Sequence, residues 1–135
     1  MITQIAEPGR LILVRLNPHE DLLAGLRAAV AEAGLANGAI LSGAGSLSRY
    51  RVHVVKTTNL PPGDVLFSGE GAFDILTITG AIIDGRVHAH ITFSNPEKAM
   101  GGHLEEGCTV LTFAIAAIAE TPGVDLKEWD TIREF

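Results

Sequence analysis

Aromatic side chains and cysteine are scarce in this 135-residue sequence, in which aromatic residues make up 5% and there is one cysteine. So few aromatic rings leave little surface on which unpaired bases could stack, which disfavours a protein for single-stranded nucleic acid. The single Cys108 excludes an intramolecular disulfide framework. This pattern is typical of a reducing compartment, so a cytoplasmic protein is expected.

Long apolar runs and a secretory signal are also missing. No uninterrupted apolar stretch reaches the roughly 20 residues that a membrane-spanning helix needs. The first residues lack the basic, apolar and small-residue sections of a signal peptide. No membrane partner is therefore expected.

Clusters of basic residues are the third absence. Ten Lys and Arg side chains are scattered among sixteen Asp and Glu, for a formal net charge of −6. Binding to a phosphate backbone relies on clustered cations, and the nearest approach to a cluster, Arg49 and Arg51, is more simply a solvent-exposed face. A single chain is not expected to bind DNA directly, and a basic patch would have to be assembled by an oligomer.

Hydrophobic residues, mainly Leu, Ile, Val and Ala, make up 47% of the sequence, enough for one domain over residues 1–135 to bury a core. The β-rich run 10–16 predicts a first strand. Asn17 and Pro18 then begin a helix whose apolar residues recur at helical spacing until Gly34 ends it. Further strands are predicted at 39–41, 50–56, 65–67, 71–83, 87–93 and 109–119.

This order of elements indicates an α+β fold with a mainly antiparallel sheet and one helix. Pro122 and Gly123 open a tail, in which Trp129 and Phe135 are expected to pack over an open end of the sheet. One helix covers only part of a sheet of five or more strands. An apolar sheet face left open on a small domain predicts self-association.

Three of the five histidines lie between residues 85 and 104. In the strand 87–93 apolar residues alternate with His88 and His90, so the two imidazoles share one face. Their positions are roughly 6 to 7 Å apart, close enough for both rings to lean onto one ion. His103 follows the pair Gly101-Gly102, and glycine permits the close backbone approach or positive φ that would bring it back over the first two.

Three neutral imidazoles with one coordination position left for water are the ligands of an open zinc or similar divalent site. The alternative is that these histidines are merely exposed on a strand, which is common. His53, on the strand 50–56, is expected to be an ordinary surface or interface histidine. The turn at Asp84-Gly85 joins the histidine strand to the preceding one and could bring Asp74 or Thr77 near the far end of the site.

The chain resembles the PPC (plants and prokaryotes conserved) domain family over nearly its whole length. The residues that carry the resemblance are RLNPHEDLLAGL, AILSGAGSLS, GAFDILTITGAI, RVHAHITFS and, most specific, GGHLEEG. The resemblance implies an α+β domain assembled as a homotrimer. Prokaryotic members are single-domain proteins usually described as DNA-binding or regulatory, with an unsettled role. In plant members separate AT-hook segments contact DNA, and this sequence has none.

The fold also looks similar to that of the acetolactate decarboxylase group, in which a comparable histidine pattern holds zinc. Carried over by motif, this resemblance implies His88, His90 and His103 as metal ligands. The sequence departs from the PPC pattern at Asp74, where Glu is common, and at Ala114, where many members carry Glu. The change at Ala114 removes an acid or base that the last strand would otherwise supply.

The leading hypothesis is a trimeric PPC-like protein that binds a divalent ion, zinc before others, and has a regulatory or small-ligand role. The second is a zinc-dependent lyase or hydrolase for a small acid or ester. In that enzyme Glu105, Glu106 or Asp74 would carry protons and Arg86 would anchor the anion. The third is an interaction module whose histidines are only structural.

Overall fold

The computed structural model describes every residue from 1 to 135. Its elements are β1 Leu11–Leu16, α1 Leu22–Ala33, β2 Gly38–Val55, β3 Asp64–Ile83, β4 Arg86–Ser94, β5 Ala99–Leu104 and β6 Thr109–Glu120. All six strands form one sheet in the order β1-β6-β2-β3-β4-β5, and every pairing is antiparallel. The predicted fold class, a mainly antiparallel sheet with one helix, is confirmed. No helix has the length and apolarity needed to cross a membrane.

The sheet closes on itself at one end. Besides pairing with β4, β5 also pairs with β2, with Val52 opposite Leu104 and His53 opposite His103. Strands β2, β3, β4 and β5 therefore form a ring at this end, whereas β1 and β6 extend the sheet beyond β2. This closure has no local sequence signal, since it joins positions about fifty residues apart.

Strands β2 and β3 are much longer than the sequence predicts, with 18 and 20 residues. Their glycines do not interrupt them but allow neighbouring atoms to approach closely. A Cβ atom added at Gly69 would lie 2.5 Å from the Tyr50 hydroxyl, and one added at Gly43 would lie 2.5 Å from the Ile78 side chain. Register shifts along β2, including one between Gly45 and Leu47, let the long strand bend.

Helix α1 begins later than predicted. Its N-cap is Asp21, whose carboxylate accepts a hydrogen bond from Ala24 N at 2.9 Å. The side chain of the predicted cap, Asn17, accepts a hydrogen bond from Arg15 at 2.6 Å, and His19, with a φ of 76°, keeps the chain after Asn17 out of the helical conformation. The prediction of the helix start at Asn17 is therefore wrong by four residues. Gly34 ends the helix with a φ of 64°, as the sequence predicts.

The core is a single cluster of 23 buried residues beneath α1. Three of the few aromatic rings, Tyr50, Phe73 and Phe93, pack against one another with centroids 4.9 to 5.4 Å apart. Cys108 is fully buried, and its burial raises the pKa of the thiol to about 11. This thiol is a small core side chain and not an activated nucleophile.

Candidate metal centre

The closure of the sheet places histidines from three strands side by side. His103 on β5 lies opposite His90 on β4 and opposite His53 on β2. His88 is two residues before His90 and therefore lies on the same face of β4. On the other face of β4, Ala89, Ile91 and Phe93 are buried in the core.

His88, His90 and His103 form a compact group. One ligand nitrogen of each lies within 4.8 Å of the others. The His103 ring is nearly perpendicular to that of His88, with centroids 4.6 Å apart, and is inclined by 74° to that of His90 at 5.5 Å. Bonds of about 2.0 Å to a tetrahedral ion place ligand nitrogens roughly 3.3 Å apart. Side-chain rotations that move each nitrogen by about 1 Å therefore suffice to surround one ion.

The pair Gly101-Gly102 lies within β5, and neither glycine has a positive φ. A Cβ atom at Gly101 would be 2.2 Å from the Ile91 carbonyl oxygen, and one at Gly102 would be 2.6 Å from the His53 carbonyl oxygen. Glycine is therefore needed because β5 lies tightly between β4 and β2. Of the two roles expected for glycine here, the structure has close backbone approach.

The environment keeps two of the imidazoles neutral. Burial and the neighbouring histidines lower the pKa of His103 to about 4, and the same causes lower the pKa of His90. A neutral imidazole has a free nitrogen lone pair, which is the form that binds metals. The donor set therefore fits a divalent ion at neutral pH.

His88 is oriented by a carboxylate from the C-terminal segment, residues 121–135. Its Nδ1 lies 3.3 Å from Oδ2 of Asp130, whose side chain is largely buried. Arg86 donates two hydrogen bonds of 3.0 Å to the same carboxylate and holds the pKa of Asp130 below its usual range. The carboxylate thus joins Arg86 to His88.

His53 lies in the histidine group and is not an ordinary surface histidine, whereas its expected place at an interface stays a prediction. Its ring stacks on that of His103 with centroids 4.3 Å apart and an angle of 28°, and its Nδ1 is 2.6 Å from Glu105 Oε1. One ligand atom each from His53, His103 and Glu105 also lies within 4.8 Å of the others. Stacking does not separate the two groups, since the rings of His88 and His90 are also nearly parallel, at 18° with centroids 5.5 Å apart. The His88, His90 and His103 set suits zinc better because all three donors are imidazoles, two of them with a lowered pKa.

The four residues considered for proton transfer or anion binding lie at different places relative to the histidines. Glu105 lies beside His53, whereas the Glu106 carboxylate is exposed and paired with Arg27 at 2.6 Å. Arg86 lies next to His88 but is paired with Asp130. Their catalytic roles stay predictions.

Asp74 is not brought to the histidines. It lies opposite Ser94, four residues beyond His90 on β4, or about 13 Å along the strand. There it lines a separate cavity with Ser46 and Thr112.

A cavity of about 480 Å³ opens beside the histidines and is lined by Arg27, Gly85, Arg86, Val87, His88, His103 and Asp130. It brings both arginines near the proposed ligands, although each is paired with a carboxylate. His53, Asp130 and Arg27 are not predicted as parts of the site from the sequence. Nothing in the local sequence signals these contacts, because each reaches a partner on a distant element.

A family model described as the Plants and Prokaryotes Conserved (PCC) domain matches residues 3–122. Among curated proteins, the bifunctional protein GlmU of Synechococcus sp. (strain JA-2-3B'a(2-13)) is 33% identical over 118 residues, or 85% of the chain and 18% of that protein. The chain thus spans about a fifth of the length of the curated relatives it matches.

Solved structures share the fold. A plant- and prokaryote-conserved protein from Pyrococcus horikoshii is 25% identical, with a TM-score of 0.77 over 93% of this chain and 87% of the other. A metal-containing protein from Archaeoglobus fulgidus is 20% identical, with a TM-score of 0.76 over 90% and 86% of the two chains. A protein from Bacteroides thetaiotaomicron, provisionally described as DNA-binding, is 20% identical, with a TM-score of 0.70 over 90% and 87%.

Proposed function

The chain belongs to the Plants and Prokaryotes Conserved domain family, and on that premise we propose that His88, His90 and His103 hold one divalent metal ion, zinc before others. The observation that carries this proposal is the grouping of their three nitrogens within 4.8 Å of one another. The lowered pKa values of His90 and His103 support it, because protons then compete less with the ion.

Zinc is favoured by the donor set. Neutral imidazoles suit zinc and similar transition metals, whereas magnesium and calcium prefer oxygen ligands. Three protein ligands leave a fourth position for water or a small ligand, which distinguishes an open site from a closed structural one. The metal-containing protein from Archaeoglobus fulgidus, which has the same fold, is in keeping with this assignment.

The proposed assembly is a homotrimer in the cytoplasm. Large apolar side chains are exposed on one face of β1 and β6, among them Leu11, Leu13, Phe113 and Ile115. Leu13 and Ile115 also line an apolar groove of about 440 Å³ on this face. Contact between copies would remove these side chains from water, and the single buried Cys108 suits a reducing compartment.

The proposed role is regulation or binding of a small ligand at the ion, and not direct binding of DNA. The net charge of −6 opposes association with a phosphate backbone. Of the arginines near the cavity, Arg27 and Arg86 are both paired with carboxylates, which leaves little free positive charge for phosphates.

A zinc-dependent lyase or hydrolase acting on a small acid or ester is the second candidate. The observation in its favour is Glu105, an acid held by His53 next to the ligand His103. A bound zinc ion would supply a water of lowered pKa or polarise a carbonyl group. In this enzyme Glu105 would accept or return the proton, and Arg86 would orient the substrate anion if it were released from Asp130.

The test is metal analysis of the full chain purified without an affinity tag or chelator. We expect close to one zinc ion per chain, and we expect His103→Ala to lose most of it while keeping its circular dichroism spectrum. His19→Asn is the matched control, since it removes an exposed histidine outside the group. A wild-type protein free of metal, even after incubation with zinc, would support the interaction module with structural histidines.

A further inference from the structure

Asp130 lies outside the part of the chain that the family model matches, which ends at residue 122. It nevertheless reaches the candidate metal centre, where its side chain is 11% exposed. Its segment has no helix or strand of its own but is fixed to the rest of the fold. Asn37 donates a hydrogen bond to the Val124 carbonyl oxygen at 3.0 Å, and Gln4 accepts one from Asp125 N at 2.9 Å.

The contacts of Asp130 define what it does to His88. Both terminal nitrogens of Arg86 donate to the carboxylate at 3.0 Å, a paired geometry that fixes the plane of the acceptor. Oδ2, one of the two oxygens, also lies 3.3 Å from His88 Nδ1. An ionised carboxylate can only accept, so His88 donates this hydrogen bond from Nδ1–H, and in the neutral ring the Nε2 lone pair is then free.

We propose that Asp130 is a positioning residue for the metal centre, one that holds His88 in the Nδ1-protonated form and orients Nε2 toward the ion. The inference rests on the proposed function, because it assigns a role to Asp130 only in relation to the ligand His88. Carboxylates that accept a hydrogen bond from a ligating histidine fix its orientation and raise its basicity as a ligand. Arg86 in turn holds the carboxylate in place.

The experiment compares the full-length wild type with Asp130→Asn and Asp130→Ala. Zinc affinity is measured by competition with a chromophoric chelator, and the site is also loaded with cobalt to record its visible spectrum. We expect both variants to bind zinc about 10- to 100-fold more weakly. The cobalt spectrum of Asp130→Asn should change, because His88 approaches the ion at a different angle.

Glu128→Gln is the matched control, since it removes one negative charge from the same segment without touching His88 and should leave both measurements unchanged. Long-range proton–nitrogen spectra of the metal-free protein give a second readout. They should show the His88 proton on Nδ1 in the wild type and a mixture of tautomers in Asp130→Ala.

The outcomes separate the two claims. Wild-type zinc binding together with unchanged affinity and an unchanged cobalt spectrum in both Asp130 variants would overturn the positioning role alone. A wild type that binds no zinc would overturn the proposed function and the positioning role with it. Thermal melting of each variant identifies any loss of affinity that comes from unfolding.

Discussion

The same sheet presents two exposed surfaces of opposite character. Where β2, β4 and β5 meet, the exposed face carries four imidazoles, Glu105 and a cavity lined by charged groups. On β1 and β6 the exposed face is apolar, with Leu13 75% and Ile115 45% exposed. Both arise from the alternation of side chains along strands, which aims one set at the core and the other outward. Under the proposed function, metal binding and assembly would therefore use separate surfaces.

Removal of a proposed metal ligand should have the largest effect on zinc affinity and should leave the proposed trimer intact. We expect His90→Ala to lower zinc affinity more than about 100-fold, because the loss of a residue that merely orients a ligand already costs about 10- to 100-fold. Isothermal titration would measure the affinity and light scattering the mass. Simultaneous loss of metal and of the trimer would show that the two surfaces are not independent.

A charge on the apolar face of β1 and β6 should disrupt the proposed trimer and leave zinc affinity nearly unchanged. Leu13→Asp places a carboxylate where contact between copies would bury it, and burial of an unpaired charge costs several kcal/mol. We expect light scattering to show monomers at micromolar concentration, with zinc affinity within about threefold of wild type, since all three ligands come from one chain. Lys56→Glu serves as a control away from this face.

Acid should weaken the fold through the histidine surface. The pKa of His103 is about 4 in the fold, against an ordinary 6.5, so between these pH values the unfolded chain binds more protons than the folded one. His90 acts in the same direction. The stability of the metal-free protein should therefore be highest above pH 6.5 and should fall as the pH drops toward 4.

Urea unfolding at several pH values measures this dependence. His103→Gln removes the titrating group and should flatten the curve within that window. If the free energy of unfolding falls just as steeply with pH in the variant, other groups cause the acid sensitivity.

Among the histidines of the candidate metal centre, substitution of His53 should have the smallest effect on zinc affinity. His53→Phe keeps a flat ring against His103 but loses the contact with Glu105, so we expect zinc affinity to change by less than about tenfold, below the loss of a ligand. A competition titration with a chelator resolves such a change. A loss as large as that of His90→Ala would make His53 a ligand and would favour the group of His53, His103 and Glu105.

The sequence predicts the features that depend on neighbours along the chain. The strand at Leu11–Leu16, the helix end at Gly34 and the shared face of His88 and His90 follow from local pattern and agree with the structure. The prediction of the helix start fails because the φ of 76° at His19 keeps the first turn after Asn17 from being helical, so Asp21 is the cap.

The rest of the site depends on contacts between distant segments. His53 meets His103 only because β2 pairs with β5, and Asp130 meets His88 only because the C-terminal segment returns to β4. Neither partner is marked by its own neighbours in the sequence. Glycine marks the location, since Gly101 and Gly102 are required where β5 fits between two strands, but it does not identify those strands.

Anomalous diffraction from crystals grown with zinc, with data collected on both sides of the zinc absorption edge, tests the central claim most directly. The account predicts one peak per chain, about 2.0 to 2.1 Å from a nitrogen of each of His88, His90 and His103. A peak between His53 and Glu105, or zinc-treated crystals without any peak at the histidines, would contradict it.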